Sequence, residues 1–133
     1  MNAPSHHLAL LLAAPQAGET AMLNDLIAMT QALQARGLPA DRILALHGQL
    51  DQPLVLACLA AVHRQMAGWN SGGIFIHVSG HGFFQGDTAA TARPGLQFRN
   101  TDDVNDDYHL FWHEFFDVLA LPTGVGLTLL PDL

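Results

Sequence analysis

The sequence predicts an α/β fold, a three-layer α-β-α sandwich around a mostly parallel, four-stranded sheet in one domain. Three observations predict it. Short apolar runs recur at residues 8–13, 42–47, 74–79 and 125–130, segments with apolar residues at helical spacing lie between them, and Gly, Pro or Asp marks the junctions. Strands that alternate with helices along a chain pair in parallel through right-handed crossovers, with helices on both faces of the sheet.

The run LALLLA at residues 8–13, ended by Pro15 and Gly18, suits a strand buried on both faces. From Thr20 to Arg36 the positions Leu23, Leu26, Ile27, Thr30 and Leu33 follow helical spacing, and Gly37 with Pro39 supplies the stop. RILALH at 42–47 is the second strand. Asp51 and Pro53 open a second helix that runs to about Ala67, with Leu56, Leu59, Ala60 and His63 on one face. A Gly- and Ser-containing turn then leads into IFIHVS at 74–79. Between Gly80 and Asp107 the composition shifts to Gly, Thr, Asp and Asn, a stretch long enough to predict a functional loop. A third helix is expected over Tyr108 to Leu119, capped by Asp106 or Asp107, before the fourth strand VGLTLL at 125–130.

Composition narrows the classes of function. The chain has 133 residues, half of them apolar, enough to bury one core. Twelve acidic residues against 5 basic ones give a formal charge of -7 and no basic cluster to neutralise phosphates, so neither nucleic acid nor an anionic membrane is an expected partner. No apolar run reaches the ~18 to 20 residues that span a bilayer, and a cytoplasmic protein is expected. Cys58, the single cysteine, sits in an apolar helical stretch and reads as core rather than as a nucleophile.

Ser79, Gly80, His81 and Gly82 follow the third strand directly, and the glycines on each side leave the imidazole approachable. The stretch IFIHVSGHG resembles the histidine strand of the caspase and metacaspase clan of cysteine peptidases, and ARGLPADRILALHG resembles the segment before the second helix in bacterial members. The clan's order of strand, helix, strand, helix, histidine strand, long loop, helix and cysteine strand matches essentially the whole chain, so residues 1–133 read as a single, partial caspase-like domain. The resemblance implies that His81 is the catalytic acid and base, that the N–H of Gly82 contributes to an oxyanion hole, and that Asp132 binds a basic substrate side chain. It also places the nucleophilic cysteine immediately after Leu133, so this chain alone is expected to be inactive.

The partner implied is a peptide or protein substrate, once a Cys-bearing segment completes the site. No cofactor and no metal are expected. Two alternatives stand beside the peptidase. One is a caspase-like pseudoprotease acting as a binding or scaffold module, through an exposed fourth-strand edge that also favours homo-oligomers or through the aromatic helix face of Phe111, Trp112, Phe115 and Phe116. The other is a flavodoxin-like or receiver-like regulatory domain, against which LALLLAAPQAG offers neither carboxylates nor a Gly-rich cradle.

Other polar residues read as structural. His77 is expected to be buried and hydrogen-bonded, and His6 and His7 to belong to a flexible N-terminus. His109 and His113 would share a helix face without a third ligand. Asp102, Asp103, Asp106 and Asp107 read as capping and solvent-exposed residues ahead of a calcium site, because their spacing is not that of an EF-hand loop.

Overall fold

The structure, a computed structural model, describes residues 6–16 and 19–133. Gly18, expected to help end the first strand, lies outside the described residues. Four parallel strands form the main sheet: β1 (His7–Ala13), β2 (Ile43–His47), β3 (Gly73–Ser79) and the last strand of the chain, Gly126–Asp132. Numbering in chain order makes this last strand β7, because β4 (His81–Gln85), β5 (Arg93–Gln97) and β6 (His109–Phe111) form a separate antiparallel sheet. The parallel sheet has the order β2-β1-β3-β7, which puts the two most buried strands, β1 and β3, side by side at its centre.

Helix α1 (Ala21–Ala35) covers one face, and α2 (Gln52–Gln65) with α3 (Trp112–Leu119) covers the other, giving the expected three layers. Leu8, Leu10 and Leu12 point with Ile74, Ile76 and Val78 into the larger cluster, where Val55, Leu59, Val62, Phe115 and Leu119 meet them. Leu11 and Ala13 point the opposite way, towards Leu26. This is the period-2 alternation of a strand, with both sides apolar because both are covered.

The helices bury other faces than the spacing suggested. Helix α1 packs Met22, Leu26, Met29 and Leu33 on the sheet and leaves Leu23 and Ile27 exposed. Helix α2 buries Val55, Cys58, Leu59 and Val62 rather than Leu56 and Ala60. Each helix carries more apolar positions than one stripe can hold, so the sheet beneath selects the stripe. The start of α2 is as expected: Asp51 accepts a hydrogen bond from the N–H of Leu54 at 2.9 Å, and Pro53 occupies the first turn, where its missing N–H costs nothing.

The stretch from Gly80 to Asp107 is not one long loop, because much of it is the antiparallel sheet. Cross-strand aromatic contacts hold that sheet: Phe83 packs edge-on against His109 and tilted against Phe111, and Arg93 lies over the Phe111 ring at 4.4 Å. His109 to Phe111 are strand rather than helix, and α3 starts at Trp112 without a side-chain cap. Asp106 instead accepts from the N–H of Tyr108 and turns the chain into β6. Trp112 and Phe116 pack on the core beside the fully buried Phe115, so the aromatic residues of α3 are mostly internal. His7 lies in β1 and His6 stacks on Trp69 with ring centroids 4.8 Å apart, so neither is part of a loose end.

Strand β7 lies at the edge of the parallel sheet, with Leu127 and Leu130 exposed. The N–H of Gly126 donates to the carbonyl of Gly72 and the carbonyl of Asp132 accepts from the N–H of Gly80, so residues 126, 128, 130 and 132 turn their backbone groups towards β3. Leu127, Leu129 and Pro131 therefore line the outer flank, where proline supplies no donor.

Phe115, fully buried between α2 and the sheet, sets the scale of the core. Phe115→Ala is expected to lower the unfolding free energy by about 3 to 5 kcal/mol, read from urea denaturation.

Candidate functional site

The carboxyl ends of parallel strands are where an α/β sheet presents its functional groups. Here β3 ends at Ser79, opposite Asp132 of β7, and the hydrogen bond from the Gly80 N–H to the Asp132 carbonyl, 3.1 Å long, ties the two exits together. The N–H of Ala14 donates to the carbonyl of Ser79 at 2.9 Å, which brings in the exit of β1 as well. The ends of the three strands thus lie side by side at one edge of the sheet, and His81 follows immediately at the start of β4.

The imidazole of His81 is engaged. Its Nε2 lies 2.8 and 3.0 Å from the two carboxylate oxygens of Glu19, a residue of the segment between β1 and α1. A carboxylate only accepts, so Nε2 carries the hydrogen and Nδ1 is left as the basic nitrogen of the neutral ring. Glu19 is held in turn by the N–H of Gln16, which donates to Oε1 at 2.6 Å. The His81 hydrogen bond, assisted by that of Gln16, holds the Glu19 carboxyl below its ordinary value of 4.5. Both side chains are a little over one-third exposed, at 39% and 35%, so the pair orients the ring more than it stabilises the fold.

Gly82 sits against the end of the chain. A Cβ added there would lie 3.3 Å from Cδ1 of Leu133, so that exposed side chain would have to shift slightly. Just beyond β5 the Phe98 N–H donates to the Tyr108 carbonyl, which by alternation assigns Leu96 to bonding with β6, and Gly95 and Gln97 to β4. Gly82 opposes Leu96, so its N–H points away from β5 and out of the ladder.

Asp132 directs its side chain to the α1 face of the sheet. There it lines a recess of about 330 Å³ with His77, Asp25, Ala28, Met29 and Ala32. His77 is buried as expected but not hydrogen-bonded, since neither ring nitrogen has a partner. The neighbouring helix positions are Ala28, Met29 and Ala32, which offer it no polar atom.

His109 is fully satisfied. Its Nδ1 donates to Asp106 at 2.8 Å and its Nε2 accepts from the Gln97 amide at 3.2 Å, a buried network that fixes the tautomer. Hydrogen bonds from Thr101 first, then from His109 and the Tyr108 N–H, hold the Asp106 carboxyl below its ordinary value. His113 lies on α3 and stacks on Phe111, so the two histidines do not share a helix face. Asp103 accepts from the N–H of Asn105 in the same turn. Among the described residues no group of three or more His, Cys, Asp or Glu side chains gathers as a metal ion requires. Cys58 is buried, and the loss of hydration pushes its thiol up to about 11, which makes it a poor nucleophile.

The sequence matches no protein-family model and no curated protein. No helix among the described residues is long and apolar enough to cross a membrane.

Two residues of this site escaped the sequence analysis. Glu19 stands next to the N-cap position of α1, where an acidic residue is ordinarily explained by the helix dipole, and 62 residues separate it from His81. Asp25 reads as a helix-surface carboxylate until α1 is laid over β3 and β7.

The depressed Glu19 carboxyl contributes stability that is fully present above pH 4.5 and lost as the pH falls through its lower folded-state value. The advantage of the native chain over Glu19→Gln in urea midpoint is expected to shrink as the pH falls below 4.5 and to vanish in acid. A difference that persists unchanged to pH 2 would contradict the pairing.

Proposed function

We propose that the chain is part of a caspase-like cysteine endopeptidase domain, with His81 as its general acid and base, and that it is inactive without a Cys-bearing segment. The observation that carries this reading is the common exit of β3 and β7, joined by the hydrogen bond from Gly80 to Asp132. A cysteine following Leu133 would stand at the same edge of the sheet as His81, since Leu133 already lies against Gly82.

In that reading the thiol gives its proton to Nδ1 of His81, and the thiolate attacks the scissile carbonyl. Glu19 keeps the other ring nitrogen protonated and holds the ring in one orientation. The N–H of Gly82, left out of the β4–β5 ladder, is a donor for the oxyanion of the tetrahedral intermediate. Collapse of the intermediate expels the amine, which takes the proton from His81, and water then hydrolyses the thioester with His81 as base. Asp132 and Asp25 give the neighbouring recess two carboxylates, which suits an Arg or Lys side chain, and the unpartnered His77 adds an acceptor. The substrate is a peptide or protein and the setting cytoplasmic; neither a metal nor a cofactor takes part in these steps.

The scaffold alternative rests on the exposed edge of β7, which could pair with a strand of another molecule, including a second copy. The regulatory-domain alternative is weaker. A carboxylate does follow β1, but Glu19 is occupied by His81 rather than grouped with other acids.

Two measurements test the reading. The chain as it stands should show no thiol-inhibitable turnover of Arg, Lys or Asp reporter peptides. With Cys-His appended after Leu133, the new thiol should react with iodoacetamide at neutral pH at least tenfold faster than the same chain carrying His81→Ala; the raised thiol of Cys58 keeps it out of the assay. Equal alkylation rates in the two chains would remove His81 from the mechanism.

A further inference from the structure

A second recess opens at the same edge of the sheet, beyond the exits of β1 and β2. It has a volume of about 520 Å³ and is lined by Pro15, Gln16, Gly48, Gln49, Phe98, Arg99 and Asn100. None of these carries a carboxylate, although the chain as a whole has a formal charge of -7. We infer that this recess binds a carboxylate of a peptide ligand, with Arg99 as the anchor and the amides of Gln16, Gln49 and Asn100 around it.

Arg99 is held in place without being neutralised. Its guanidinium lies over the Tyr108 ring at 5.2 Å and donates from Nη1 to the Tyr108 hydroxyl at 3.4 Å, and among the described residues it forms no ion pair. Phe98, buried beside it, fixes the segment by donating its N–H to the Tyr108 carbonyl at 2.7 Å. A positioned guanidinium with its remaining N–H groups free matches the planar, two-oxygen geometry of a carboxylate.

Gln16 supplies a second, independent sign. Its backbone N–H is committed to Glu19, while its side-chain Nε2 is buried without a partner among the described residues. A buried amide donor of this kind costs stability until an acceptor reaches it. One cation among neutral amides suits a singly charged carboxylate better than a phosphate dianion, which draws on several basic groups. The carboxylate comes from an acidic side chain or from a peptide C-terminus, and the chemistry of recognition is the same for both.

Because the inference concerns equilibrium binding, it needs neither a nucleophile nor turnover, and its failure would leave the peptidase reading where it stands. The full chain is titrated with three short peptides while backbone amide resonances are followed by NMR. The first is acetyl-Ala-Glu-Ala-amide, the second its Gln counterpart, and the third acetyl-Ala-Ala with a free C-terminal carboxylate. At least one carboxylate peptide is expected to shift the amides of Gly48, Gln49 and Asn100 saturably, about tenfold or more tighter than the Gln peptide. Whichever of the two binds identifies the source of the carboxylate. Arg99→Gln, at an exposed position, should abolish the preference, and Gln16→Ala, which removes the orphaned amide, should weaken it severalfold. Neither carboxylate peptide binding more tightly than the Gln peptide, or a preference that survives unchanged in Arg99→Gln, would overturn the assignment.

Discussion

The pairing of β3 with β7 is the constraint on which the rest of the molecule depends. Seven residues of each strand are in register, from Gly73 opposite Gly126 to Ser79 opposite Asp132. A slip of one residue would turn every β7 side chain to the other face, taking Asp132 away from His77 and Asp25 and Leu129 out of the core. The packing of Leu129 on the core and the hydrogen bonds between the two strands oppose such a slip. The ladder between the two strands therefore sets where Asp132 and Leu133 stand relative to His81.

At this edge of the sheet, polar groups are ordered in succession. Gln16 orients Glu19, Glu19 orients His81, and the glycines around His81 let the chain leave β3 and enter β4 within a single residue. Each of these contacts is partly exposed and contributes little to folding by itself. Their value is geometric, since an imidazole with one nitrogen held by a carboxylate has a defined tautomer and a defined free nitrogen. The network of His109, Asp106 and Gln97 does the same for the antiparallel sheet, beside Leu96 and Leu110, which join the main core.

The strands of the parallel sheet and the first two helices were legible because their signals are local. Asp51 with Pro53 marks a helix start, and runs such as LALLLA and IFIHVS have the length and composition of strands buried on both faces. The antiparallel sheet was not legible. Its strands, HGFFQ, RPGLQ and HLF, are short and contain Gly and Pro, and what holds them is the contact of Phe83 with His109 and Phe111, more than 25 residues along the chain. His81 stood out because its flanking glycines are sequence neighbours. Glu19 and Arg99 did not, since the meaning of each comes from a partner or a cavity that only folding creates.

Pro131 faces outward on the free flank of β7, next to the residue that lines the acidic recess. A strand docking along this flank finds backbone donors at Leu127 and Leu129 and then meets a ring where the next donor would be. Lateral growth of the sheet would thus lose its footing before reaching the carboxyl ends of the strands. Assembly with another chain and admission of a ligand could then proceed on one molecule without competing for the same ground.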